Sequence, residues 1–278
     1  MTPKILALTA LASLAVSALG AGPAAADTTV VADPTVQNIT SYASTAAWSR
    51  KAADGYHLVV AQGAAVADAP VPVSARPYDP DLGPGPQKGR AVVYARGGDL
   101  YRYDVGAAAE TRLDVSSGET EIAPSIFGET LAFSRTTGSR PGLYVQRPGR
   151  SLKRLFRTVA FETDVAATRV IGRFGRGSRS IIRILNMDAS SVRIVARAKT
   201  SQRVASPTLT RFNGIWLRIA EDRSTVEQVG VNSHRGLDVL VADRALPGRV
   251  DSLASFRIPT LYIDEDGIQR IAPKLRMR

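Results

Sequence analysis

A polar residue with a short side chain, followed by an aliphatic residue, recurs along the chain at nearly even intervals. The six copies are Asn38-Ile39, Asp81-Leu82, Ser125-Ile126, Asp164-Val165, Thr208-Leu209 and Ser252-Leu253. Their aliphatic members are separated by 43, 44, 39, 44 and 44 residues. Because a fixed spacing of this length is typical of repeat architectures, the chain is predicted to contain six units of about 43 residues each.

A second marker keeps the same register. Each dipeptide is followed by an apolar segment with an aromatic residue: Trp48, Tyr94, Phe133, Phe174, Trp216 and Tyr262. In the first five copies an arginine stands two positions later, at Arg50, Arg96, Arg135, Arg176 and Arg218, whereas the sixth copy has Asp264. The fourth copy has a second possible register, Ile171-Gly172-Arg173. Two markers in one register indicate a true repeat.

The segments around the aromatic residues have the pattern of β-hairpins. Ala91–Arg96 and Asp99–Val105 are apolar or alternating, and a Gly-Gly turn separates them. No segment after the N-terminal region shows a helical period over 11 or more residues. Four short strands per unit are typical of a propeller blade. The predicted fold is therefore an all-β propeller of about six four-stranded blades, in which Thr28–Ala32 supplies the outer strand of the last blade.

The N-terminal segment is predicted to be a signal peptide covering residues 1–26. Lys4 precedes the apolar run Ile5–Leu19, and Ala24–Ala26 suits a small-residue cleavage site. Residues 27–278 would then form a single propeller domain in the exported protein. A retained N-terminal anchor is the alternative. No later segment reaches the roughly 18 apolar residues that a membrane helix requires.

The second repeat carries a family resemblance. Asp79–Pro84 followed by Gly89–Arg96 resembles the polar, turn, aliphatic and aromatic pattern of TolB-like and WD40-like propeller repeat proteins, and Leu100–Asp104 and Leu143–Val145 are similar to its next strand. Phe127-Gly128 and Asn213-Gly214 stand where the usual turn would be. The resemblance implies a fold and says little about activity.

The polar members of the first marker are candidate ligand-binding residues. The innermost strands of a propeller surround its axis, so Asn38, Asp81, Ser125, Asp164, Thr208 and Ser252 are expected to ring one channel mouth. They could bind a hydrated cation, a sugar or a peptide end. The alternative is that each side chain bonds a nearby backbone group, as Asx, Ser and Thr side chains often do.

The repeated arginines also have two interpretations. Copies at one height in each blade could form a basic crown for an anionic ligand. Alternatively, each could lay its stem over apolar surface and pair with a carboxylate or carbonyl of the next blade.

Positive charge is concentrated in the third and fourth repeats. The chain has 36 Lys and Arg against 25 Asp and Glu, and 16 of those basic residues but only three acidic residues fall between Arg135 and Arg203. The predicted anion-binding patch consists of Arg147, Arg150, Lys153, Arg154, Arg157, Arg169, Arg173, Arg176, Arg179 and Arg183. Such a patch attracts anionic polymers or surfaces. A high arginine content across the whole chain is the compositional alternative.

Several kinds of chemistry lack their residues. The chain has no cysteine, and its two histidines, His57 and His234, are too few for a three-histidine zinc site. Gly175–Ser180 has neither the nucleophile-elbow nor the phosphate-loop pattern. Asp264–Gly267 is interpreted as a hairpin turn. No catalytic residue, metal site or cofactor is therefore predicted.

The leading functional hypothesis is a secreted or envelope-associated, non-enzymatic propeller that binds or scaffolds a protein or an anionic envelope polymer, with no nucleic-acid partner. The alternative is a calcium-dependent propeller hydrolase of the lactonase or esterase type, with Asn38, Asp81 and Asp164 as oxygen ligands. A third hypothesis is a subunit of a larger envelope assembly.

Overall fold

The computed structural model describes residues 28–86, 89–115, 117–210, 212–230, 244–246, 250, 252–255 and 260–270. These residues form six four-stranded antiparallel sheets, which stand as blades around a common axis. The predicted six-bladed, all-β propeller is confirmed. The predicted signal peptide and His234 lie outside the described residues.

The first three blades follow the chain from the axis outward. Blade 1 contains β2 (Val36–Tyr42), β3 (Thr45–Ala52), β4 (Gly55–Gln62) and β5 (Ala65–Asp68). Blade 2 contains β6 (Asp81–Pro84), β7 (Arg90–Arg96), β8 (Asp99–Asp104) and β9 (Ala109–Arg112). Blade 3 contains β10 (Glu121–Phe127), β11 (Thr130–Arg135), β12 (Gly142–Gln146) and β13 (Lys153–Phe156).

The last three blades complete the ring. Blade 4 contains β14 (Ala160–Ala166), β15 (Arg169–Phe174), β16 (Ile181–Asn186) and β17 (Val192–Arg197), with a single 3₁₀ turn at Gly177–Arg179. Blade 5 contains β18 (Arg203–Leu209), β19 (Asn213–Ile219), β20 (Ser224–Gly230) and β21 (Arg244–Leu246). Blade 6 contains β22 (Ser252–Ser255), β23 (Thr260–Asp264), β24 (Gly267–Arg270) and β1 (Thr28–Val31).

Blade 6 takes its outer strand from the opposite end of the chain. β1 pairs antiparallel with β24, and Thr29 Oγ1 donates to Gln269 Oε1 at 3.0 Å. Val31 packs with the apolar side chains between blades 6 and 1. The predicted strand exchange is therefore confirmed. It closes the ring, because the first strand of the chain completes the last blade.

The apolar core lies between neighbouring blades. The aromatic marker faces the preceding blade: Trp48 packs with Leu261 and Ile263 of blade 6, and Phe133 packs with Val93 of blade 2. All of these side chains are buried. Each blade therefore buries an apolar face only when its neighbour is present, so the blades depend on one another for stability.

The fourth blade departs from the marker pattern. Phe174 packs with blade 3, as the other aromatic residues pack with their preceding blades, but β15 ends at Phe174 and leaves Arg176 outside the strand. Arg173, from the second possible register, makes the ion pair instead, with Glu162 at 2.8 Å. Neither predicted register is therefore fully correct for this blade.

Four buried serines join neighbouring blades through the backbone. Ser49, Ser134, Ser180 and Ser224 accept, in that order, from the N–H groups of Tyr78, Ala160, Val204 and Val250 in the next blade, at 2.9–3.1 Å. The sequence analysis did not identify them. In the first and third copies, the signal was a serine between the aromatic residue and the arginine. Each bond satisfies a buried donor at the entrance to a blade.

Candidate functional site

The inner strands of all six blades enclose a narrow channel on the axis. Its volume is about 110 Å³, which is room for several water molecules. Five of the six predicted ligand-binding residues line it: Asn38, Asp81, Asp164, Thr208 and Ser252. Ser125 is fully buried beside the channel, where Thr163 Oγ1 donates to its hydroxyl at 3.2 Å.

The two predicted carboxylates bind the backbone of the next blade. Asp81 Oδ2 accepts from Ile126 N at 2.7 Å, and Asp164 Oδ2 accepts from Leu209 N at 2.6 Å. Thr208 Oγ1 also donates to Asp164, at 2.9 Å. These bonds follow the order of the blades and stabilise the ring. The structure thus gives both carboxylates the backbone-bonding role that the sequence analysis held as an alternative.

Blade 1 uses a different position, whereas blade 6 keeps the position of the marker. In blade 1 the acceptor for the next blade is Thr40, whose Oγ1 receives Leu82 N at 3.0 Å. Asn38 has a left-handed backbone with φ 51°, and its Nδ2 donates to Tyr78 O at 2.8 Å. Ser252 Oγ accepts from Ile39 N at 3.1 Å. The first copy of the marker is therefore displaced from its structural equivalent.

Two further carboxylates in the channel were missed by the sequence analysis. Asp79 and Glu162 line it beside Asp81 and Asp164, so blades 2 and 4 each contribute a pair. Each new residue stands two positions before a predicted one, and this Asp-x-Asp and Glu-x-Asp spacing was the available signal. Glu162 Oε2 also accepts from Ser206 N of blade 5, at 2.6 Å.

Three of these carboxyl groups hold protons more tightly than usual. Enclosure by the surrounding blades raises the pKa of Asp79 to about 7, and the negative charge of Glu162 raises it further. The Asp79 side chain itself faces the channel. Burial also raises the pKa of Asp164 to about 6. The pKa of Asp81 is raised well above 3.8 by burial and by the neighbouring Asp164 charge.

Stability is expected to fall as the pH rises from 5 to 7.5. The folded protein keeps protons on Asp79 up to about pH 7 and on Asp164 up to about pH 6, whereas the unfolded chain releases both near 3.8. Because the folded state binds more protons in this window, raising the pH favours unfolding. The free energy of unfolding, measured in guanidinium chloride at several pH values, should decrease across it.

The Asp79→Asn variant should show a shallower decrease, because asparagine resembles the protonated acid and does not titrate. Asp188→Asn is the matched control: Asp188 is exposed and its pKa is lowered by hydrogen bonds from Ser190, so it does not titrate between pH 5 and 7.5. A wild-type stability that stays constant or increases with pH would contradict the assigned shifts.

The three residues suggested as calcium ligands already have protein partners, as described above. Among the residues that the structure describes, no group of three or more His, Cys, Asp or Glu side chains is arranged to hold a metal ion.

Four of the five repeated arginines form ion pairs within their own blades, and Arg176 is the exception. The pairs are Arg50 with Asp68 (2.7 Å), Arg96 with Glu110 (2.5 Å), Arg135 with Glu121 (3.3 Å) and Arg218 with Glu227 (2.6 Å). Arg96 and Arg135 also stack on aromatic rings, Tyr101 at 4.0 Å and Tyr144 at 4.9 Å. These contacts favour the structural interpretation, with the correction that each carboxylate belongs to the same blade and not to the next.

The predicted basic patch is divided between the two ends of the ring. We call the end at which β3, β7, β11 and β19 place their paired arginines the arginine face, and the other end the opposite face. Strand reversal places Arg157, Arg173, Arg176 and Arg179 at the arginine face and Arg147, Arg150, Lys153 and Arg169 at the opposite face. Arg154 and Arg183 lie at mid-strand positions. The ten residues do share blades 3 and 4.

Part of the patch has a structural role. Arg183 lies over the Phe156 and Phe174 rings, at 4.9 and 5.5 Å, and Arg154 donates to Pro141 O. The members that are exposed to solvent are Arg150, Lys153, Arg157, Arg176 and Arg179. The exposed charge is thus smaller than the sequence count and occurs on both faces.

His57 lies on β4 in a cluster of charged side chains. Its Nε2 is 2.8 Å from Asp54, and its Nδ1 is 3.3 Å from Asp68, which also pairs with Arg50. This position is on the outer part of blade 1, away from the channel.

Solved structures with the same arrangement of blades include two TolB proteins. TolB from Acinetobacter baumannii matches with a TM-score of 0.53 at 15% identity, over 82% of this chain and 63% of that one. A putative TolB from Agrobacterium tumefaciens matches with a TM-score of 0.57 at 11% identity, over 85% and 90%. The chain has the TolB-like β-propeller fold. It spans less than two thirds of the Acinetobacter protein.

The TolB-like fold also occurs in an enzyme. An oligogalacturonate lyase in complex with manganese matches with a TM-score of 0.54 at 9% identity, over 86% of this chain and 79% of the lyase. No family model and no curated protein matches the sequence. In the described part of this TolB-like propeller, no helix is both long and apolar enough to cross a membrane.

Proposed function

We propose that the protein is an exported binding module of the cell envelope, which holds an anionic partner through blades 3 and 4. The TolB-like fold supports a binding or scaffolding role, since this architecture presents broad faces built from many loops. Export is proposed from residues 1–26, whose charge, apolar run and small residues suit a signal peptide. If this N-terminal segment were instead retained as an anchor, it would hold the propeller at the membrane across which the chain is exported.

The observation that carries the proposal is the unbalanced charge of one segment. Between Arg135 and Arg203 there are 16 basic and three acidic residues, and Arg150, Lys153, Arg157, Arg176 and Arg179 are exposed. The repeated arginines elsewhere are paired, so they add little to the external field. Local excess charge raises the rate and strength of association with a polyanion.

The protein is expected to bind a polyanion such as poly(glycerol phosphate) at low salt, with an affinity that falls about tenfold or more as sodium chloride rises to about 0.2 M. Screening by salt weakens contacts between exposed charges, which are the contacts proposed here. Biolayer interferometry with the immobilised protein measures the affinity at each salt concentration.

Neutralising Arg150 and Arg157 to glutamine should reduce this binding, whereas Lys51→Gln, an exposed change on blade 1, should leave it nearly unchanged. Binding that is independent of salt, or no binding at low salt, would overturn the anionic-partner proposal. If Lys51→Gln weakens polyanion binding to the same extent, the binding depends on the net charge of the protein and not on blades 3 and 4.

A second candidate is a calcium-dependent hydrolase of lactones or esters. Its support is that four carboxylates, Asp79, Asp81, Glu162 and Asp164, line the channel and that oxygen donors suit calcium, although no three of them are arranged around one metal position. The bonds from Asp81 and Asp164 to backbone N–H groups favour a structural role for these two. Calcium-dependent hydrolysis of a lactone by the purified protein would favour the hydrolase.

A further inference from the structure

A cleft between blades 4 and 5 opens on the arginine face. Its volume is about 250 Å³, and its charged or polar lining residues are Arg173, Arg176, Ser180 and Arg203. Gly177, Val204 and Ala205 complete the wall. The loop after β15 forms one side, and the first residues of β18 form the other. Among the described residues that line the cleft, none carries a carboxylate.

Two of the three arginines are held in place by contacts that leave donors available. Arg173 pairs with Glu162 at 2.8 Å and donates to Gly175 O at 2.9 Å, while its buried Nε has no partner. The guanidinium of Arg176 lies 4.4 Å above the centre of the Phe161 ring. Stacking of this kind uses the face of the guanidinium, so its N–H edges stay open to an acceptor.

The electrostatic balance of the cleft favours an anion. Arg173 is balanced by Glu162, which pairs with it from the channel side, whereas the guanidinium of Arg176 pairs with no carboxylate among the described residues. The positive charge therefore exceeds the negative charge at this position. The Arg176 guanidinium makes no hydrogen bond or ion pair with the part of the chain that the structure describes, so a ligand would have no such bond of this side chain to displace.

We propose that this cleft binds a phosphate group. Guanidinium groups match the oxygens of phosphate with paired, charge-assisted hydrogen bonds, and the volume accommodates a phosphate together with part of the molecule that carries it. The inference rests on the proposed function, because it names the chemistry of the anionic partner and places one of its groups. The source is either a small phosphate ester or a phosphodiester polymer.

The test titrates the ¹⁵N-labelled protein with inorganic phosphate, glycerol 3-phosphate and poly(glycerol phosphate), following the arginine Nε–H signals by NMR. We expect the signals of Arg173 and Arg176 to shift, and Arg176→Gln to weaken phosphate binding at least tenfold. Lys51→Gln, an exposed change on blade 1 with the same loss of charge, should bind as the wild type does. A stronger response to glycerol 3-phosphate than to the polymer identifies a small ester as the source.

The outcomes separate the cleft from the wider proposal. If neither inorganic phosphate nor glycerol 3-phosphate moves these signals, or if Arg176→Gln and Lys51→Gln weaken binding equally, the proposed phosphate site in the cleft is wrong. If the polymer still binds Arg176→Gln normally, the basic-surface proposal stands without the cleft. If the esters bind at the cleft but no polyanion binds, the cleft stands and the polymer proposal fails. Thermal unfolding of Arg176→Gln checks that this exposed substitution leaves the fold intact.

Discussion

A chain that begins at Val36, and so lacks β1, is expected to lose about 3–5 kcal/mol of its free energy of unfolding. The loss combines the hydrogen bonds of β1 to β24, at about 1 kcal/mol each, with the burial of Val31 against blades 6 and 1. It also leaves the edge of β24 unpaired and open to association with other chains. Guanidinium chloride unfolding and size-exclusion chromatography measure both effects.

The matched control is a chain that begins at Asp27, which keeps β1 and removes the segment predicted to be the signal peptide. It should unfold at a much higher denaturant concentration than the shorter chain. Equal stability of the two chains would show that the exchanged strand contributes nothing to closure, and the mutual dependence of blades 6 and 1 would have to be abandoned.

The Gly83→Ala variant is expected to lose about 3 kcal/mol of stability. Gly83 lies on β6, where a Cβ atom would stand 2.1 Å from the backbone oxygen of Ile126 in blade 3. The neighbouring Gly128 N donates to Pro84 O at 2.8 Å, so the two inner strands cannot easily separate. Because the obstacle is backbone, relief requires movement of a blade and not of one flexible side chain.

Gly118→Ala makes the same chemical change at a position where a Cβ atom meets nothing within 4 Å. Urea titrations of both variants measure the difference, and Gly118→Ala should unfold with nearly wild-type stability. If Gly83→Ala is equally harmless, the close approach of blades 2 and 3 at the channel would not be essential to the ring.

The sequence was sufficient to predict the architecture because its strongest signals are local and repeated. Alternation within hairpins and the aromatic marker recur every 43 residues or so, and each describes one blade. Closure was also predictable, because the strand pattern of the last repeat ends after three strands, near Ala272, while a β-prone segment precedes the first repeat. These features follow from hydrogen bonding and apolar burial along short segments of chain.

The residues of the candidate site were predicted less completely from the sequence. The polar marker correctly identified residues beside the axis, but Asp79 and Glu162 were missed because nothing in one blade shows which side chains meet across the channel. In blade 1 the marker selected Asn38, although Thr40 is the residue that bonds the next blade. In the fourth repeat, Phe174 packs against blade 3 as expected, but β15 ends there and Arg173, not Arg176, makes the ion pair within the blade.

By itself, the sequence determined the number of blades, the strand exchange that closes them and the excess of positive charge in the third and fourth repeats. Only the tertiary structure decided how that charge is distributed, because antiparallel strands send residues that are adjacent in sequence to opposite faces of the ring. It also decided which arginines are paired and which remain open. Ion pairs and clefts depend on the meeting of separate blades, and the sequence of one blade does not contain that information.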